Sequence, residues 1–171
     1  KTVGADHFSH NFASNPFDVL NVLCWGSGKM MVSHTESKKA LDTRNNLMKT
    51  GGKPFGLMEL LVVDQGPVFV GEEFADYFRE QVVLVDFTDG QSPWQNGPTE
   101  RAGGVFEEML DKVFMDATVL AYEKYQEAVD LVVAQRNARA DRSGFSPDQR
   151  SLGKNVGLPG HMLADLSLIH I

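Results

Sequence analysis

Leu60-Leu61-Val62-Val63-Asp64-Gln65-Gly66-Pro67 is the stretch that decides the fold. From Leu57 to Val63 almost every residue is apolar, so no face is left for water, which suits a central strand covered on both sides. Asp64 closes that strand and Gly66 lets the chain turn away. Upstream, Thr2 to Phe8, Phe17 to Trp25 and Lys29 to His34 read as three β segments, and Gly26-Ser27-Gly28 makes a hairpin of the last two. Ser37 to Lys49 reads as a polar helix on the surface, ended by Gly51-Gly52 and Pro54. Downstream, Gly71 to Gln81 is a short helix with Phe74, Tyr77 and Phe78 on one face, and Val82 to Phe87 is a fifth strand. After a turn-rich loop from Asp89 to Gly97, a helix starts near Pro98, a residue favoured at the first helical position. Its apolar stripe is Ala102, Val105, Phe106, Met109, Leu110 and Val113. A last long helix runs from Val119 to Ala140 with Leu120, Tyr125, Val129, Val132 and Val133 on one side. Phe8, Phe12, Phe17, Trp25 and Met30-Met31 are assigned to the core. The order β-β-β-α-β-α-β-α-α predicts an α/β fold with a mixed five-stranded sheet and helices packed on it.

The chain of 171 residues suits one domain, and 42% hydrophobic with 23% charged residues is a globular composition. One cysteine, Cys24, excludes an internal disulfide framework and suits a reducing compartment. No apolar run approaches the length of about 18 residues that a membrane helix needs, so no membrane association is expected, and no signal peptide is visible. A net charge of −7 argues against nucleic-acid binding by the whole surface, but Gln135 to Lys154 is a local strip of +3. Ser143-Gly144-Phe145-Ser146-Pro147 marks a turn and the expected domain edge, giving a core over 1–142 and the start of a linker over 143–165. Leu166-Ser167-Leu168-Ile169-His170-Ile171 looks like a translated library adapter and is set aside as non-native.

Three carboxylates stand out by position. Asp6 lies in the first strand opposite Val3 and Ala5, Asp64 ends the buried strand, and Glu100 sits in the first turn of the helix opened by Pro98. Ligands gather at the carboxyl ends of strands in such sheets. Taken singly, each acid has an ordinary explanation: a turn residue, a helix-dipole partner or an edge-strand acid. Their spacing is more telling, since 57 residues separate Asp6 from Asp64 and 35 separate Asp64 from Glu100. Histidines give no zinc pattern, because His7 and His10 have no cysteine pair after them, and no phosphate-binding Gly-rich loop or Ser-His-Asp set is visible.

With Val63-Asp64-Gln65-Gly66-Pro67 and Ser92-Pro93-Trp94-Gln95-Asn96-Gly97-Pro98-Thr99-Glu100-Arg101, the chain resembles the integrase catalytic core of retroviruses and retrotransposons, the D,D(35)E family. The likeness extends to Ser143-Gly144-Phe145-Ser146-Pro147 and covers about residues 1 to 155. It implies an RNase H-like fold with helices on both faces of the sheet. It implies that Asp6, Asp64 and Glu100 are the catalytic residues and hold Mg2+ or Mn2+, and that the activity is 3′-end processing and strand transfer of DNA. Hard carboxylate oxygens without His or Cys favour those ions over zinc. The same resemblance makes element ends and target DNA the partners, contacted by Gln95, Asn96 and Arg101 in and beside a mobile loop. It further implies a homodimer or higher oligomer that assembles in the cytoplasm and acts in the nucleus. Gly103 and Gly104 either admit DNA backbone or merely weaken their helix.

The chain departs from the family at four positions. Val68 and Asp86 replace the usual Glu and non-acidic residue, and Gly104 and Glu107 stand where basic DNA contacts are common. These give a second reading, an inactive remnant acting at most as a nucleic-acid-binding or self-associating module. A third, an RNase H-type nuclease, shares fold and metals but not the Asn96-Gly97 string.

Overall fold

A computed structural model describes residues 1–12, 15–35, 37–88, 95–116 and 122–154. Strands β1 (Thr2–Phe12), β2 (Asn15–Cys24) and β3 (Met30–His34) form an antiparallel meander. Then come α1 (Ala40–Leu47), a π-helical turn Met48–Gly52, α2 (Lys53–Phe55), β4 (Leu60–Val63), α3 (Glu72–Glu80) and β5 (Leu84–Phe87). The chain ends in α4 (Gly97–Asp116), α5 (Tyr122–Ala138) and the short α6 (Pro147–Leu152). The sheet order is β3-β2-β1-β4-β5, with β4 parallel to both β1 and β5, so the expected mixed five-stranded sheet is present.

Alternation along the strands makes two cores. Val3, Ala5, Leu20, Val22, Leu61 and Val63 turn to one face, where Leu47, Phe74 and Phe78 from α1 and α3 cover them. Leu23 and Met30 turn to the other, beneath Phe106 and Leu110 of α4 and Tyr125, Val129 and Val132 of α5. Helices therefore sit on both faces.

Several boundaries differ from the sequence reading. Gly51-Gly52 and Pro54 do not end the first helix; the chain stays helical through a π turn to Phe55 and stops at Gly56, where φ is +75°. Gly51 is buried against Val22 and Met31, and Pro54 falls within α2. β5 starts at Leu84, because Val82 adopts φ +59° in the turn after α3. Val105, expected in the apolar stripe of α4, is exposed. Phe8 and Trp25 are half-buried at the edge of the second core. Leu120, the loop 89–94 and the tail 166–171 lie outside the described residues.

β3 is an edge strand, yet its first backbone groups are paired. Asn137 of α5 accepts from the Met30 N–H at 2.9 Å and donates to the Met30 carbonyl at 2.7 Å. Both bonds are buried, so an Asn137→Ala variant is expected to cost about 2–4 kcal/mol in urea denaturation. A loss under about 0.5 kcal/mol would show that water replaces the amide freely.

Candidate active site

The site is set by a register. Ala5 and Val63 are partners on the parallel strands β1 and β4, and both side chains are fully buried in the same core. The next residue on each strand must turn the other way, which brings Asp6 and Asp64 to one face at neighbouring positions. Neighbouring strands lie about 4.8 Å apart. Asp64 also caps its own turn, accepting the Gly66 N–H at 3.1 Å, as its turn reading expected. Across this face runs α4. Its first turn is pinned by the Asn96 carbonyl, which accepts the N–H groups of Thr99 at 2.9 Å and Glu100 at 3.1 Å.

Asp6 reports the crowding. Burial first, then the charge of Asp64, push its carboxyl up to about 6. The His7 backbone N–H opposes the rise, while Glu100 and Glu107 add to it. The three sequence-picked acids therefore share one field, with Asp6 the neighbour common to the other two. Among the described residues, no three His, Cys, Asp or Glu side chains are drawn tightly enough to enclose one metal ion. The donor chemistry still fits hard divalent cations: the groups are carboxylates, and burial with the charge of Asp64 makes the ionised form of Asp6 costly, a cost that a cation would offset.

A clasp that the sequence reading missed holds the N-terminus of α4 to the sheet. Trp25 Nε1 donates to Thr99 Oγ1 at 3.0 Å, and Asn21 Nδ2 donates to the Thr99 carbonyl at 3.1 Å. The first of these bonds needs Gly4: a Cβ there would lie 1.9 Å from Thr99 Oγ1 and 2.6 Å from Trp25 Nε1. Two signals were present, a glycine inside a strand and a lone amide in the apolar run Val19-Leu20-Asn21-Val22-Leu23.

The remaining candidates divide. Gln95 and Arg101 are exposed beside Glu100. Asn96 is 1% exposed and turns inward, its Nδ2 donating to the Ala5 carbonyl at 3.4 Å, so the side chain shapes the turn and does not face solvent. Gly103 is likewise buried, on the face of α4 that lies against Asn21 and Phe8, while Gly104 is open. Asp86 is exposed on β5, beyond the cover of α4. Glu107 is the departure that matters, because its charge adds to the field on Asp6, and burial raises its own carboxyl. A cavity of about 310 Å³ opens elsewhere, under Val3, Val22, Cys24 and Met58, and none of the three acids lines it.

This arrangement was compared with known proteins. No protein-family model matches the chain. The HTLV-2 integrase catalytic core, solved with magnesium in a trimeric form, superposes with a TM-score of 0.74 over 88% of this chain and 95% of its own, at 17% identity. The chain has the fold of a retroviral integrase catalytic core. The BIV integrase core agrees, with a TM-score of 0.70 over 89% of this chain and 93% of its own, at 16% identity. So does a simian T-cell lymphotropic virus intasome, solved with the PP2A regulatory subunit B56 gamma, at 0.81 over 92% of this chain and 56% of that one, with 15% identity. By sequence the chain is 25% identical over 123 residues to the Pro-Pol polyprotein of feline foamy virus, covering 72% of this chain. It spans only 10% of that polyprotein. The integrase-core fold is RNase H-like, as the motif resemblance implied.

Proposed function

We propose that this integrase-like core is a DNA-cutting and DNA-joining enzyme whose working groups are Asp6, Asp64 and Glu100. The observation that carries the reading is the register of β1 and β4, which sets Asp6 beside Asp64 under the first turn of α4. In this reading Asp6, Asp64 and Glu100 would together hold the divalent ions. When bound, Mg2+ or Mn2+ supplies Lewis acidity to an attacking water or DNA 3′-hydroxyl and to the leaving oxygen. The chain's own groups do the rest. Asp6 offers a carboxylate whose charge is costly while no cation balances it, and Asp64, held by its Gly66 contact, keeps a fixed direction. Gln95 and Arg101, both exposed near Glu100 in the sequence, would orient a phosphodiester. DNA ends and target DNA are the substrates, chromosomal DNA places the reaction in the nucleus, and self-association completes the assembly. The HTLV-2 core occurs in both trimeric and dimeric forms.

A strand-transfer or disintegration assay with Mn2+ tests this. Losing a metal ligand removes several kcal/mol of transition-state stabilisation, so Asp64→Asn and Glu100→Gln should each fall about 1000-fold. Equal turnover in both variants and the wild type would overturn the assignment. Glu107 beside Asp6 favours one rival, a folded but inactive self-associating module, which calorimetry separates by finding no Mn2+ binding in the wild type.

A further inference from the structure

We infer that Thr99 is a positioning residue: clasped by Trp25 and Asn21 across Gly4, it sets Glu100 against Asp6 and Asp64. The inference rests on the proposed reading of the three acids. Thr99 precedes Glu100 directly and is itself fully buried, so whatever fixes residue 99 fixes where the next side chain leaves the helix. Three bonds converge on it. Its N–H reaches the Asn96 carbonyl at 2.9 Å, its hydroxyl accepts from Trp25 at 3.0 Å, and its carbonyl accepts from Asn21 at 3.1 Å.

The anchors come from the strands that carry the first acid. Asn21 is the β2 partner of Asp6 in the antiparallel register, and Gly4 sits two residues before Asp6 on the same face of β1. One rigid frame therefore holds Asp6 and the residue before Glu100. Carboxylates that repel one another need such a frame, because each pair at about 4 Å costs on the order of 4 kcal/mol at an effective dielectric of about 20. Without it the first turn of α4, free to fray, would let Glu100 retreat from Asp6.

Packing alone would make the same residues matter, so the variants separate the hydroxyl bond from bulk. Thr99→Val keeps the volume and removes the acceptor. Trp25→Phe keeps an aromatic ring and removes the donor. Thr99→Ser keeps the hydroxyl and removes only a methyl group. Each is first checked for folding by thermal unfolding, then titrated with Mn2+ by calorimetry, with amide exchange of residues 96–101 followed in the metal-free protein.

Thr99→Val and Trp25→Phe are expected to lose about 10- to 100-fold in Mn2+ affinity, while Thr99→Ser stays within about twofold. Exchange at 96–101 should rise in the first two only. In strand transfer, kcat should fall while KM for DNA holds, since the DNA contacts are untouched. If folded Thr99→Val and Trp25→Phe bind Mn2+ like the wild type, the positioning role is overturned and the metal reading stands. If the wild type itself binds no Mn2+, the reading of the acids fails first and the clasp falls with it. Should Thr99→Val not fold, Trp25→Phe at the half-buried rim decides the question alone.

Discussion

An Asp6→Asn variant is expected to lose Mn2+ binding and strand transfer, and yet to be more stable than the wild type when no metal is present. The carboxyl of Asp6 is raised to about 6 from an ordinary 3.8, chiefly by burial and by Asp64. A folded-state value above the unfolded one means that the folded protein binds the proton more tightly. Metal-free stability therefore falls as pH rises from about 4 through 6, and the full cost is present at pH 7. A shift of this size corresponds to on the order of 2–3 kcal/mol, which a neutral amide of the same shape avoids. Denaturant titrations in EDTA at pH 7 and near pH 4 check the sign. The variant should lead by that amount at neutral pH, and the two proteins should converge in acid. The difference between them is the readout, because Asp141, held low by Arg150, pulls the raw curves the other way on acidification. Saturating Mg2+ should reverse the order, since only the wild type gains from ligation. A variant less stable than the wild type at pH 7 without metal would mean that Asp6 is a structural acid and not a site held at a cost.

That conflict between stability and site explains what could be read from the residues alone. Strong periodicity was legible: the apolar run ending at Val63, the stripes of α4 and α5, and the turn at Gly26-Ser27-Gly28 all appear in the structure. For the candidate acids, the strand alternation was legible: Asp6 turns away from the core that holds Val3 and Ala5, and its carboxyl feels the charges of Asp64 and Glu100. Features decided by contacts distant in sequence were not legible. Gly51 and Pro54 are breakers by local rule, but burial against β2 and β3 keeps Gly51 helical, and the chain runs on through Pro54 to Phe55. β1 runs on to Phe12 because β2 pairs with it along its whole length, which polar residues such as Ser9 and Asn11 did not advertise. Asn96, read as a DNA contact, is buried, and its carbonyl holds the first turn of α4. The clasp on Thr99 joins residues 74 apart, so the local signals at Gly4 and Asn21 marked a close approach without naming its partner.

The other large effect is expected at the segment read as the edge of the domain. Beyond residue 142 the chain turns and docks again: Asp148, with 4% of its side chain exposed, pairs with Lys29, of which 12% is exposed, in the turn between β2 and β3. Lys29 also lies 5.4 Å from the centre of the Phe55 ring. Removing one member of such a pair strands the other charge in a poor solvent, so Asp148→Ala should cost about 3–5 kcal/mol. For a chain of this size that lowers Tm by roughly 10 °C. Replacing both partners, as in Lys29→Met with Asp148→Leu, should recover most of the loss, because the stranded charge is gone. The effect should also reach the acids. The same turn is held by Arg136, which donates to the Gly28 carbonyl at 3.0 Å, and it follows directly on Trp25. A loosened turn lets the indole drift from Thr99, so the folded fraction of Asp148→Ala should bind Mn2+ several-fold more weakly, and the double variant should regain affinity along with stability. If Asp148→Ala unfolds within about 1 kcal/mol of the wild type, the pair is solvated and α6 is an appendage; if stability falls but Mn2+ affinity does not, the turn and the clasp are mechanically independent.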